Sequence, residues 1–428
     1  MFVVTAEKLL YGGDALARRD DGKAVFIPYA VPGDRLLVRT CAEKKNYIRA
    51  EILEILTPGD GRVTPACPHF GKCGGCQWQQ IEYSRQVEAK RLILEELIYH
   101  RFPETKRLAV TMQPCSMPFG YRSRARIRRQ ITQSTSGGRR GGGSHPVLQN
   151  ETPLQGVCSF NTFNTSDAHV AVGFFRGGSH IVEDIQNCPL FLPRLNDALQ
   201  VLRHIQFEQC KKSGKNDSIR EIDIACSEEE GAWAIAKGGA GVGTLLQRKV
   251  GGFTYNVAAE AFFQANDFMV DALVLHVMGC ISQNSGTALD LFSGVGLFSM
   301  PLARSFLAVT AVEYSRESHR LCSMNAAEAG IENLETVCAD VTKWLNSRTA
   351  SRFDCIVLDP PRAGVGPGVI ELVGRLASKE IVYVSCDPQT LVKDLELLDR
   401  NCWRVVSVAG FDMFPQTYHF ETVVHLRR

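Results

Sequence analysis

No stretch of this 428-residue chain reaches the ~18 consecutive apolar residues that a membrane-spanning helix needs. The first residues, Met1-Phe2-Val3-Val4-Thr5-Ala6-Glu7-Lys8, lack the basic-then-apolar layout of a secretory leader. Both absences lead to the expectation of a cytoplasmic protein with no membrane partner. An excess of one charge is missing too. Against 48 Lys and Arg stand 46 Asp and Glu, a net charge of +2, so any nucleic-acid footprint must be local. No internal repeat divides the chain. Cysteine, by contrast, is plentiful: 15 residues without a leader argue for a reducing compartment, where clustered thiols mean metal or catalysis rather than disulfides. With 45% hydrophobic and 22% charged residues, the chain is globular and long enough for several domains.

Residues 1–57 alternate in the strand period, at Ala24-Val25-Phe26-Ile27, Arg35-Leu36-Leu37-Val38-Arg39 and Tyr47-Ile48-Arg49-Ala50-Glu51-Ile52, with turns at Asp20-Asp21-Gly22 and Val31-Pro32-Gly33-Asp34. Several short strands in so few residues predict a small closed barrel of the oligonucleotide-binding kind. Lys44-Lys45-Asn46-Tyr47 sets an aromatic among cations, which suits either an RNA-tracking surface or a plain solvated hairpin. Next come Cys67, Cys73 and Cys76 in a C-x5-C-x2-C array, and then a predicted helix from Ser84 to about Arg101. The segment from about 114 to 258 reads as β-rich. A Ser/Gly/Arg-rich tract, Thr132 to Gly143, interrupts it and is expected to be a loop. Arg122, Arg124, Arg126 and Arg128 alternate, so on a strand they share a face. That predicts phosphate contact, because like charges on one face repel unless an anion is near. A charged solvent face is the plainer account.

From about 260 the pattern becomes alternating strands and helices. Strands are predicted at 287–292, 308–313, 335–339, 353–358, 380–385, 404–410 and the C-terminus, and a helix over Glu317 to Ala329 closed by Gly330. This is a doubly wound α/β pattern. Asp290-x-Phe292-x-Gly294-x-Gly296 follows the first strand but lacks the third glycine of a dinucleotide fingerprint. Glu313, Asp340 and Asp359-Pro360-Pro361-Arg362 end the next three strands. Each acid alone is compatible with helix N-capping. As an ordered set they resemble the class I (Rossmann-like) S-adenosylmethionine-dependent methyltransferases, whose cationic sulfonium needs no phosphate cradle. Ser385-Cys386-Asp387-Pro388 ends the fifth strand, where ligands sit in open α/β sheets. A buried core cysteine is the bland alternative. A methyltransferase needs a thiol when the acceptor carbon is a poor nucleophile, as C5 of uracil is. Addition of sulfur at C6 activates C5, and a base must then remove the C5 proton. Glu421 is the candidate base and His419 its rival.

Asp359-Pro360-Pro361-Arg362-Ala363-Gly364, Ser385-Cys386-Asp387-Pro388 and His419-Phe420-Glu421-Thr422-Val423 resemble the motifs of the RNA 5-methyluridine (uracil-C5) methyltransferases, in the branch of bacterial enzymes acting on 23S ribosomal RNA. The resemblance covers essentially the whole chain. It implies three parts: a TRAM-like RNA-binding barrel over 1–57, a central RNA-binding part with a metal cluster over 58–258, and a catalytic domain over 259–428. It implies Cys386 as nucleophile and Glu421 as base, with Gln264, Phe292, Gly294, Glu313, Asp340 and Asp359 around the cofactor and target base. From spacing alone, the cysteine array suits zinc or a [4Fe–4S] cluster equally. The resemblance favours iron–sulfur, with Cys188 as fourth ligand and Cys158 in reserve. It further implies a monomer acting on 23S rRNA. A tRNA uridine-C5 methyltransferase and an exocyclic-amine RNA methyltransferase stand as alternatives. Leu297 and Asp387 replace frequent asparagines of the family, and the Thr132–Gly143 tract resembles an insertion.

Overall fold

A computed structural model of the chain describes residues 1–133, 168–213, 220–228, 232–236, 245–282, 286–348, 352–400 and 402–428. Residues 134–143 of the expected loop, and Cys158, lie outside them. Among the described residues no helix is long and apolar enough to cross a membrane.

Five strands, β1 (Phe2–Leu9), β2 (Ala15–Arg18), β3 (Ala24–Ile27), β4 (Arg35–Glu43) and β5 (Tyr47–Thr57), close into a barrel in the order β1-β2-β3-β5-β4. Strand alternation drives the closure: Val4, Ala6, Val25, Ile27, Leu36, Val38, Ile48 and Ala50 all point inward and are buried. Closure also removes the exposed edges that a short sheet of this size would leave. Buried Asp34 accepts hydrogen bonds from the amides of Val31 (2.6 Å) and Gly59 (2.8 Å) and pairs with Arg62, tying the chain leaving the barrel to its base.

Helix α1 (Tyr83–Arg101) and strand β6 (Val110–Gln113) follow. Strands β7 (Arg124–Gln133), β8 (Ala168–Phe175), β9 (Val182–Asp184), β10 (Arg220–Ser227) and β11 (Ala232–Ala236) form an antiparallel sheet in the order β11-β10-β7-β8-β9. Helix α2 (Pro193–Ser213) covers one face, packing Leu195, Ala198, Leu199 and Leu202 on Ile127, Val172, Ile222 and Ile224. A hairpin of β12 (Leu246–Val250) and β13 (Phe253–Val257) turns at Gly251 and Gly252, φ 59° and 78°. Two successive left-handed residues are the requirement of a tight hairpin turn, and glycine meets it without strain.

The C-terminal part contains α3 (Val270–Cys280), β14 (Thr287–Leu291), α4 (Ser299–Ser305), β15 (Ala308–Glu313), α5 (Arg316–Glu328), β16 (Leu334–Cys338), α6 (Val341–Asn346), β17 (Phe353–Leu358), α7 (Pro367–Leu376), β18 (Ala377–Ser385), α8 (Pro388–Arg400), β19 (Arg404–Phe411) and β20 (Glu421–Arg427). Its sheet has eight strands in the order β16-β15-β14-β17-β18-β20-β19-β6. The first five run parallel, and β20 enters antiparallel to β18 and β19. Helices on both faces explain why Ile381, Val382, Tyr383 and Val384 are all wholly buried: a parallel strand has no solvent side. Order reverses between β14 and β17, which opens a crevice at their carboxyl ends.

Strand β6 is the edge of this sheet, paired in parallel with β19. Ile93, Leu94 and Ile98 of α1 join the same core. The expected division at 258 therefore cuts the sequence but not the packing. Four residues are too short a strand to announce their sheet, and only pairing with β19 reveals it.

Candidate active site

The expected site residues stand in a row along one edge of the large sheet. Strands β16, β15, β14, β17 and β18 end beside Asp340, Glu313, Phe292, Asp359 and Cys386, and antiparallel β20 starts there with Glu421. Neighbouring strands lie about 4.8 Å apart, so β16 to β18 covers roughly 19 Å, room for an extended ligand beside a second one.

The turn after β14 is shaped by backbone need. Phe292 has φ 64°, costly for a residue with a Cβ, and is held by Val312 O, which accepts from Phe292 N (3.0 Å) and Ser293 N (3.2 Å). Gly296 has φ 96°, and a Cβ there would approach Cys322 Sγ of α5 at 3.0 Å. Glu313 braces the turn by accepting from Gly294 N (3.0 Å) and Ser315 N (2.6 Å). Asp290 is fully buried below it. One carboxyl oxygen accepts from Ser299 Oγ (2.5 Å), while Oδ1 has no partner. Burial, then the charges of Asp359 and Glu313, push its acid up to about 7. Asp340 also caps α6, accepting from Lys343 N at 3.0 Å.

Register brings nucleophile and base candidates together. Ser385 pairs with Thr422, so the next residues outward, Cys386 and Glu421, face one another. Burial pushes the Cys386 thiol up to about 12, helped by the charges of Glu421 and Asp359 and opposed by Arg362. Glu421 is buried, its Oε2 lacks a partner, and burial and Asp359 hold its acid well above the ordinary carboxylate range. His419 is pushed down to about 3 by burial and by the cations Arg362, Lys90 and Arg122, so its imidazole is neutral and holds a proton weakly. Gln264 is buried in a segment tied to the loop before Glu421, where Asn266 Nδ2 donates to Met413 O at 3.1 Å.

Residues not expected as site residues complete the site. From α1, Lys90 makes a fully buried pair with Asp412 (2.5 Å) and also donates to Phe414 O (3.1 Å). Gln86 exchanges bonds with Gln416, Nε2 to Oε1 at 2.9 Å and Oε1 from the backbone N at 2.9 Å. Both hold the loop that presents His419 and Glu421. Arg362, quoted above only as part of a motif, is the cation that tempers the Cys386 and Glu421 acids.

The arginines have partners within the protein. Arg126 pairs with Asp223 (2.8 Å) and Arg128 with Glu221 (2.8 Å), both on neighbouring β10. Arg124 donates to Phe263 O and Ala259 O. For Arg126 and Arg128 the anions are the protein's own, supplied by a strand that sequence spacing cannot align with β7.

The cysteine array is a tight loop: Cys73 N donates to His69 O (2.9 Å) and Gly74 N to Phe175 O (2.9 Å). Cys188 is fixed by Asn196 of α2, which accepts from its N (3.0 Å) and donates to its O (3.2 Å). Burial pushes the Cys76 thiol up to about 12, and Cys188, Cys73 and Cys67 add to it, so all four sulfurs lie within electrostatic reach. Among the described residues, no group of three or more His, Cys, Asp or Glu is drawn close enough to hold a metal ion as it stands. The four thiols come from two loops, Cys67 to Cys76 and the segment at Cys188.

A family described as tRNA (Uracil-5-)-methyltransferase matches residues 242–428. An RNA methyltransferase of Thermotoga maritima is 31% identical, covering 99% of this chain and 98% of its own. The 23S rRNA (uracil(1939)-C(5))-methyltransferase RlmD of Pectobacterium atrosepticum is 30% identical over 98% of this chain and 92% of its own. The crystal structure of the tRNA (uracil-54, C5)-methyltransferase of Pyrococcus abyssi shares the fold, with TM-score 0.71 at 21% identity, covering 99% of this chain and all of that one. The kinship extends over barrel, central sheet and catalytic sheet alike, and the chain belongs to the RNA uracil-C5 methyltransferase family, in the branch of the bacterial 23S enzymes.

Proposed function

We propose that this protein methylates C5 of a uridine in 23S rRNA with S-adenosylmethionine, using Cys386 as nucleophile and Glu421 as base. The observation that carries this reading is a thiol and a buried carboxyl, its Oε2 without a partner, each one residue beyond the Ser385–Thr422 pair of adjacent strands and within electrostatic reach of one another. The Cys386 sulfur adds as the thiolate to C6 of the uracil, leaving C5 electron-rich. C5 then takes the methyl group from the sulfonium, which departs as the neutral thioether. Glu421 takes the C5 proton, the C5–C6 double bond re-forms as the C6–sulfur bond breaks, and the sulfur leaves as the thiolate with the proton on Glu421. The target base must leave its stack to reach this crevice. Asp359-Pro360-Pro361 also suits attack by an exocyclic amine, but that chemistry leaves Cys386 and Glu421 without work. Mapping 5-methyluridine in ribosomal and transfer RNA from cells with and without the gene tests the reading. Loss of one 23S site is expected, and loss confined to tRNA would transfer the activity there.

Gln264, Phe292, Gly294, Glu313, Asp340 and Asp359 are proposed to surround the cofactor and the target base. The buried acids set a pH dependence. Asp290 is pushed up to about 7 and Asp359 is raised by burial, so both are largely neutral in mildly acidic solution. A cation favours their ionised forms, so its affinity grows as pH rises through their pKa values and levels off above them. The preference for S-adenosylmethionine over uncharged S-adenosylhomocysteine is expected to increase between about pH 6 and pH 8. Titration calorimetry at several pH values checks this, and a flat ratio would remove these acids from the sulfonium's neighbourhood.

Cys67, Cys73, Cys76 and Cys188 are proposed to hold a [4Fe–4S] cluster that shapes the RNA-binding surface. Methyl transfer to activated uracil exchanges no electrons, so the role is structural. Anaerobically purified protein is expected to be brown, absorbing broadly near roughly 400 nm. Serine at any of the four positions should bleach it, and Cys158→Ser should not. Stoichiometric zinc in colourless, active protein would replace iron with zinc. The barrel is read as an RNA-binding element, and the enzyme as a cytoplasmic monomer.

A further inference from the structure

The turn between β1 and β2 reaches out of the barrel into the catalytic site. Tyr11 Oη donates to Cys386 O at 3.4 Å. Its ring makes edge contacts with Tyr418 (centroids 5.3 Å), His419 (6.5 Å) and Phe420 (6.0 Å), the residues directly before Glu421. One side chain of the barrel thus touches both strand ends that carry the chemistry.

The turn is built for this contact. Leu10 N donates to Asp14 O (3.0 Å) and Gly13 N to Leu10 O (3.1 Å), with Gly13 at φ 97°. A Cβ at Gly13 would meet Tyr418 Cδ1 at 3.0 Å and Gln77 Cβ at 3.1 Å, so the backbone comes as close as a backbone can. Gly13 O accepts from Nε1 of wholly buried Trp78 (3.1 Å), and Trp78 N in turn donates to Gln416 O (3.1 Å). Barrel turn, post-array segment and base-presenting loop are therefore one packed unit. Burial and the charge of Asp387 keep the Tyr11 phenol protonated, hence a donor. With Leu10, Ile93, Leu97 and Val392 the ring also lines a cleft of about 500 Å³.

We propose that Tyr11 is a positioning residue for the nucleophile: it fixes the Cys386 carbonyl and the Tyr418–Phe420 segment, so that the barrel sets the geometry at the thiol. The inference rests on the reading of Cys386 as nucleophile. It makes the barrel part of the catalytic centre, and RNA held by the barrel is felt at Cys386 through one phenol.

Tyr11→Phe keeps the ring and loses the donor; Tyr11→Ala loses both. The test compares single-turnover methyl transfer to an unmodified 23S rRNA transcript by the full chain with its affinities for that transcript and for S-adenosylmethionine. The single-turnover rate is expected to fall about tenfold in Tyr11→Phe and about a hundredfold in Tyr11→Ala, since small displacements of reacting groups are costly. Both affinities should stay at the wild-type level, and so should the melting temperature of Tyr11→Phe. Recovery of part of the rate by phenylalanine over alanine separates ring from hydroxyl. Wild-type rates in both variants, or a loss confined to RNA affinity, would overturn the inference. Methylation by Cys386→Ala would instead overturn the nucleophile reading, whatever the Tyr11 variants do.

Discussion

Glu421→Gln is expected to methylate its RNA once and then stall, accumulating a covalent, methylated protein–RNA complex that survives a denaturing gel. Sulfur addition and methyl transfer both precede proton removal, so a chain without its base completes them and stops. Loss of a general base typically costs 10²–10⁴-fold, so turnover should fall by roughly that factor while the first methyl transfer persists. Cys386→Ala should form no complex and transfer no methyl group, yet bind cofactor and RNA. The double variant should resemble Cys386→Ala, because the two residues act in sequence. The site's electrostatics favour Glu421 over His419. Burial raises the carboxyl's proton affinity, whereas His419, pushed down to about 3, holds a proton too weakly to draw one from carbon. A trapped adduct in His419→Ala, with Glu421→Gln turning over freely, would exchange their roles. Methylation by Cys386→Ala would remove the covalent route and leave the amine-methylating alternative.

Lys90→Met is expected to cause a large loss of stability. Lys90 and Asp412 are both wholly buried and pair at 2.5 Å. Burial lowers the lysine's proton affinity, and Asp412 opposes that. Removing the cation strands a carboxylate in the core, which costs about 3–5 kcal/mol, while replacing both partners by apolar groups is often neutral. Urea unfolding should therefore show a large drop for Lys90→Met and substantial recovery in Lys90→Met/Asp412→Leu. A single-variant loss below about 1 kcal/mol would mean that the carboxyl finds another partner or protonates. The double variant should regain stability without full turnover, because Phe414 O has also lost the Lys90 donor and the loop before Glu421 is then less firmly held.

Much of the catalytic sheet was legible from sequence because its strands are buried on both faces. Runs such as Ile356-Val357-Leu358 and Ile381-Val382-Tyr383-Val384 have no solvent side to interrupt them. The turn after β14, the acids ending successive strands and the cysteine ending β18 were legible for a related reason. An α/β sheet places its strand ends on one edge, so chain order alone arrays them there. The barrel announced itself through period-two alternation.

What sequence did not determine lies between segments distant in the chain. Local patterns report neighbours two to four residues apart, whereas the pairing of β18 with β20 is a packing outcome, and it is that register which sets Cys386 opposite Glu421. The same limit hid β6 at the edge of the large sheet and the acids of β10 beneath the arginines. It also hid the partner of Lys90: helical spacing puts this lysine on the stripe of Ile93, Leu94 and Ile98, but only tertiary packing supplies the buried Asp412 that pairs with it. Tyr11 is the clearest case. A tyrosine in a barrel turn has nothing in its local sequence to tie it to Cys386, and only the docking of the barrel on the loop before Glu421 brings its hydroxyl to the Cys386 carbonyl. Residue types and their order along the chain decided the chemistry available to this protein. Tertiary structure decided which groups meet, because burial and strand pairing act across separations that no local pattern spans.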